Sequence, residues 1–196
     1  GNIVADWLKE EDPTPAEGTT ENVHPEMVEV VRWSFDEDSQ GWRGDDGQAI
    51  IANKGELSIE VAKATLRKSD VTLQTEKMNR FRVRMKAQKG AYARLFWGYE
   101  APGKAEKKNF SHDRVAVFPI VADGQYHVYD VALDHAVADF SGDWAELRFQ
   151  PAMLNNDEDD LIGTKVTLDW IALGRCAPSP EPPNVWLSAM ADGETG

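Results

Sequence analysis

The stretch RFRVRMKA, Arg80–Ala87, decides the fold class. Its residues alternate apolar and basic with period 2, the repeat of an extended strand whose successive side chains leave on opposite faces. Phe81, Val83, Met85 and Ala87 share one face, and Arg80, Arg82, Arg84 and Lys86 share the other. A helix would scatter both sets around its circumference. Four like charges on one strand face are unfavourable unless neighbours spread them or an anion meets them.

The same pattern extends in both directions. Strand-like runs occur at 28–35 (VEVVRWSF), 56–61 (ELSIEV), 70–73 (DVTL), 92–99 (YARLFWGY), 114–119 (RVAVFP), 126–133 (YHVYDVAL), 145–150 (AELRFQ) and 165–173 (KVTLDWIAL). Turn signals separate them: NKGE, EKMN, QKGA, APGK, ADGQ, FSGDW and NNDEDD. No helical stripe of useful length interrupts the series, residues 66–68 being too few. Short strands at regular spacing predict an all-β fold, an antiparallel β-sandwich or jelly roll.

The 196 residues suffice for one domain with tails, and 41% of them are hydrophobic, enough for a sizeable core. There is no apolar run of membrane-spanning length and no basic-then-apolar N-terminal pattern, so no membrane association is expected. Cys176 is the only cysteine, which excludes an internal disulfide. A net charge of −13 disfavours a nucleic-acid partner. That average hides an asymmetry. Residues 54–114 hold 15 Lys/Arg against 7 Asp/Glu, while the rest of the chain holds 6 against 27. Residues 1–27, acidic with three prolines, read as a linker or poorly ordered arm. The domain is expected over 28–176. PSPEPP opens a Pro-rich linker and tail over 177–196, so other domains of a longer chain are expected beside this one.

Period 2 also assigns faces in the later strands. Tyr92, Arg94 and Phe96 point outward, and Trp97 points inward unless a bulge near Gly98 turns it out. Arg148 and Gln150 point outward beside inward Leu147 and Phe149. If these strands share a sheet with 80–87, one outer face carries Arg82, Arg84, Arg94 and Arg148 with Tyr92, joined by Trp97 where the bulge turns it out. Such a surface suits sugars, because rings stack on pyranoses and guanidinium forks bind carboxylates or sulfates. The plain alternative is a solvated face whose arginine stems cover apolar surface. The basic loop at 100–112, with Phe110 and His112, would stand at the rim.

Catalytic signals are thin. His24, His112, His127 and His135 show no metal-ligand spacing, and no phosphate loop or nucleophile elbow is present. A lyase built on Tyr92, Arg94 and His112 ranks last. Asp169, a carboxylate within an otherwise buried strand, needs something to neutralise it. The acidic clusters at 36–38 and 155–160 are candidate calcium loops.

The order WSFD, GW, GELSIEV, VRMK, LFW, DGQYHVY, LRFQP and VTLDWI, over residues 30–173, resembles the galactose-binding-like jelly rolls. These recur as carbohydrate-binding modules on secreted bacterial enzymes that degrade polysaccharides. The resemblance implies a non-catalytic module that targets a parent enzyme to a polysaccharide; the basic residues of the middle strands add the expectation of an anionic one, and a monomer is expected. It also implies an extracellular or periplasmic location. A structural calcium between first and last strands is implied as well, with Asp36 and Asp169 as the similar ligand positions and backbone carbonyls completing the shell. The rival reading is a structural or protein-binding sandwich domain.

Overall fold

A computed structural model of the chain describes residues 24–45, 48–61, 65–99, 112–134, 140–154 and 164–177. Residues 100–111 of the expected rim loop, the acidic cluster at 155–160, and the tails at 1–23 and 178–196 lie outside the described residues, while β1 begins at Met27, the last residue of the expected arm. The strands are β1 (Met27–Trp33), β2 (Trp42–Gly44), β3 (Ile50–Asn53), β4 (Glu56–Val61), β5 (Leu66–Gln74), β6 (Arg80–Ala87), β7 (Tyr92–Tyr99), β8 (Val115–Pro119), β9 (His127–Ala132), β10 (Asp143–Met153) and β11 (Thr164–Cys176).

They form two antiparallel sheets. The first runs β3-β4-β11-β6-β9, with β1 also paired to β11; the second runs β2-β5-β10-β7-β8. This is the expected antiparallel β-sandwich of jelly-roll type. Strand β11 is long enough to seat two partners along one edge. Its residues 164–168 pair with β4, and its residues 171–176 pair with β1.

The core lies between the sheets and follows the alternation. Phe81, Val83 and Met85 from β6 and Leu168, Ile171 and Leu173 from β11 are fully buried. Facing them from the second sheet are Leu95 and Trp97 of β7 and Leu147 and Phe149 of β10. Phe81 and Phe149 meet edge-on at 5.5 Å across the sheets, and Trp97 stacks on Trp144 at 4.6 Å with 12° between the planes. Offset ring pairs of this kind add about 0.5–1.5 kcal/mol each beyond the area they bury.

Strands β6 and β7, adjacent in sequence, belong to opposite sheets. The condition under which all the candidate arginines would share one face is therefore not met. Arg82 and Arg84 lie on the outside of the first sheet, while Tyr92, Arg94 and Arg148 lie on the outside of the second. Period 2 says which side of its own sheet a residue takes, and carries no information about which sheet the strand joins.

Candidate functional site

On the first sheet, each candidate cation has an acid of the fold beside it. Arg82 donates through Nε to Asp130 of β9 at 2.9 Å, and Arg80 lies 3.7 Å from the same carboxylate. Register explains the first pair, since Arg82 and Asp130 are directly opposite. Arg82 also donates to the Pro25 carbonyl and so ties the entering chain to this edge. Arg84 donates to Asp169, which sits at a bulge where β11 shifts register against β6. The bulge turns Asp169 and Trp170 out together, between buried Leu168 and Ile171. The Arg84 guanidinium lies 4.3 Å from the centre of the Tyr126 ring, and the Tyr126 hydroxyl donates to Glu56. Burial, reinforced by that carboxylate, pushes the phenol well above its ordinary range, so Tyr126 stays protonated as a donor.

The neutralising partner of Asp169 is thus an arginine. Asp36 is exposed and accepts a hydrogen bond from Ser34 Oγ, while the Phe35 carbonyl is taken by Gly55 N–H at 3.1 Å. The described residues hold no group of three or more His, Cys, Asp or Glu placed to bind a metal. Asp169 is held by Arg84 and Asp36 by Ser34, so among the described residues these two carboxylates are not gathered into a ready set of calcium ligands.

The second sheet is different. Cross-strand register sets Arg43 of β2, Arg67 of β5, Arg148 of β10 and Phe96 of β7 in one row across its outer face. Beside it runs a row of Thr65, Gln150 and Arg94. Gln150 donates to Thr65 Oγ1 at 3.3 Å and accepts from Arg94 Nε at 2.8 Å. Asp45 anchors the first row, at 3.2 Å from Arg67 and 3.1 Å from Arg148, and Glu146 lies 3.4 Å from Arg67. Tyr92, two residues before Arg94 on the same strand face, has its ring 5.8 Å from the Arg94 guanidinium. All these arginines keep part of their surface in water; Arg148, in the middle of the row, has 33% of its side chain exposed.

Three of the sequence-predicted site residues therefore come together: Tyr92, Arg94 and Arg148. Arg82 and Arg84 stand on the opposite side of the sandwich. Trp97 is fully buried against Trp144 and reaches neither face: alternation holds from Tyr92 to Trp97, and the register shift opposite Gly98 lies on β10, between Trp144 and Glu146. Of the lyase set, His112 opens the 3₁₀ turn before β8 and its side chain lies outside the described residues. Arg43 and Arg67 escaped the sequence reading. Arg67 follows a leucine in what was too short for a helix, and the strand signal that would have found it is the continuation of DVTL backward to Leu66.

No family model matches the sequence, and no curated protein matches it. Solved structures similar to the chain include a family 29 carbohydrate-binding module in complex with cellulohexaose. It is 16% identical over 78% of this chain and 93% of its own, with a TM-score of 0.45. The second N-terminal cellulose-binding domain of a Cellulomonas fimi β-1,4-glucanase is 12% identical, over 78% and 97%, with a TM-score of 0.48. A low-affinity xylan-binding module from Roseburia intestinalis is 10% identical, over 67% and 84%, with a TM-score of 0.42. These are likenesses of architecture at low identity, and the sandwich itself rests on the hydrogen-bonded order of the strands.

Proposed function

We propose that this chain is a non-catalytic carbohydrate-binding domain that holds an acidic polysaccharide against the outer face of its second sheet. The observation that carries this reading is the register that sets Arg43, Arg67, Arg148 and Phe96 in one row, with Tyr92, Arg94 and Gln150 beside it. A flat, partly hydrated array of forked donors beside aromatic rings matches a chain of pyranoses, which offers hydroxyls and oxyanions at its edges and C–H faces to stack. The Pro-rich segment after Cys176 supports a place beside another module of a longer chain. Affinity electrophoresis through gels containing neutral or acidic polysaccharides tests the reading. Retardation by at least one glycan is expected, lost in Tyr92→Ala with the melting temperature kept. Free migration in every gel would overturn it and leave a structural or protein-binding sandwich.

A further inference from the structure

The four arginines of this face are not equivalent. Arg67 and Arg148 lie within reach of the Asp45 carboxylate, and Arg67 also of Glu146. Arg43 donates to Ser69 Oγ at 2.8 Å, and Arg94 to the Gln150 amide oxygen at 2.8 Å. Among the described residues, both therefore end on neutral acceptors. Among the described residues, the four guanidinium groups contact two carboxylates, Asp45 and Glu146, and the two arginines without an acid partner stand at the two ends of the array. The strands that carry them, β2 and β7, are three places apart in the sheet. At the usual strand spacing their backbones stand roughly 14 Å from one another.

Between them the chemistry changes sign. An oxyanion laid over the centre would meet Asp45 and Glu146 as well as the arginines they neutralise. Like charges set side by side are unfavourable. A sugar hydroxyl there would donate to those carboxylates and accept from the arginines. We infer that the face selects acidic glycans whose charged groups are separated by neutral sugars. One oxyanion sits on Arg94 beside the Tyr92 ring, a second on Arg43, and uncharged hydroxyls lie over Asp45 and Glu146. This rests on the reading of the face as a glycan site. It distinguishes a sparsely charged copolymer from a polymer charged at every residue, whether the acid is a carboxylate or a sulfate.

Titration calorimetry at about 0.15 M salt, where distant charges are largely screened, compares three probes of equal length. These are hyaluronan oligosaccharides, with one carboxylate per disaccharide; polygalacturonate oligosaccharides, with one per residue; and neutral cello-oligosaccharides. The alternating acid should bind tightest. Arg43→Gln and Arg94→Gln should each weaken it roughly tenfold, as loss of a charge-assisted hydrogen bond does, and Arg94→Lys should recover part of the loss. Thermal melts of each variant confirm folding. Preference for polygalacturonate, or unchanged affinity in both Gln variants while Tyr92→Ala abolishes binding, would overturn the inference and leave the face reading standing. Binding of none of the probes, with no retardation in any gel, would overturn both.

Discussion

Asp169 is a charge inside the longest strand of the molecule, and Arg84 is what makes it tolerable. The pair is partly open to water, with 38% of the Arg84 side chain and 31% of the Asp169 side chain exposed. Screening therefore keeps its worth near that of a surface pair, about 1 kcal/mol or less. Packing of Arg84 over Tyr126 adds a cation–π term of about 0.5–1 kcal/mol at such exposure. Arg84→Ala should consequently lower the melting temperature by a few degrees, while excess chelator should leave the wild-type melt unmoved. Scanning calorimetry with and without EDTA distinguishes the two ways of neutralising this aspartate. A chelator-induced drop larger than that of Arg84→Ala would restore a metal to the site. The need for a partner was legible from the sequence, since a carboxylate amid VTL and WIAL has to be met by something. The identity of the partner was not, because it depends on a bulge that places Asp169 against β6.

Strand β1 shows how an element depends on a residue it does not contain. It pairs with β11 from Met27 to Trp33, and Gly174 lies under its middle. A Cβ at Gly174 would stand 2.3 Å from the Val28 carbonyl oxygen and 2.8 Å from Met27 Cγ, so the strand has to lift to admit one. Gly174→Ala should then cost about 1–3 kcal/mol, as overpacking does, and should loosen β1 ahead of the rest. Urea denaturation gives the first quantity, and limited proteolysis near residues 27–33 gives the second. An unchanged midpoint together with an uncut strand would refute the close fit. The same scale sets the limit of what the sequence disclosed. In β6, β7 and β10, alternation assigned inner and outer faces as the structure has them, because only one face of each strand can leave water. It missed β2 and β3, which are three and four residues long and too short to show a period. It also could not tell that β6 and β7 separate into different sheets, since that choice is settled by which edges each strand meets after collapse. Arg82 and Arg84, two of the six expected binding residues, stand apart from the others for that one reason.

At the scale of the whole molecule, two electrostatic effects oppose each other. The chain carries −13 overall, yet among the described residues the array on the second sheet sets Arg43, Arg67, Arg94 and Arg148 beside Asp45 and Glu146. An acidic polysaccharide approaching from afar senses the first, and one seated on the face senses the second. Ionic strength decides which is heard. At 0.01 M the screening length is about 30 Å, larger than the radius of gyration of about 15 Å expected for a compact unit of some 150 residues. The net charge then repels the ligand. Near 0.15 M the length falls to about 8 Å, so the distant acids are muted while arginines in contact still attract. Toward 1 M it falls to about 3 Å, and contact attraction weakens as well. Affinity for an acidic glycan should therefore pass through a maximum between these limits, whereas affinity for a neutral glycan on the same face should stay nearly flat. A titration series across that range measures both. Monotonic weakening from the lowest salt upward would mean that the face dominates at every distance. Monotonic strengthening would mean that the arginines make no contact with the acid, and the glycan would then have to be held by the rings and hydroxyls alone.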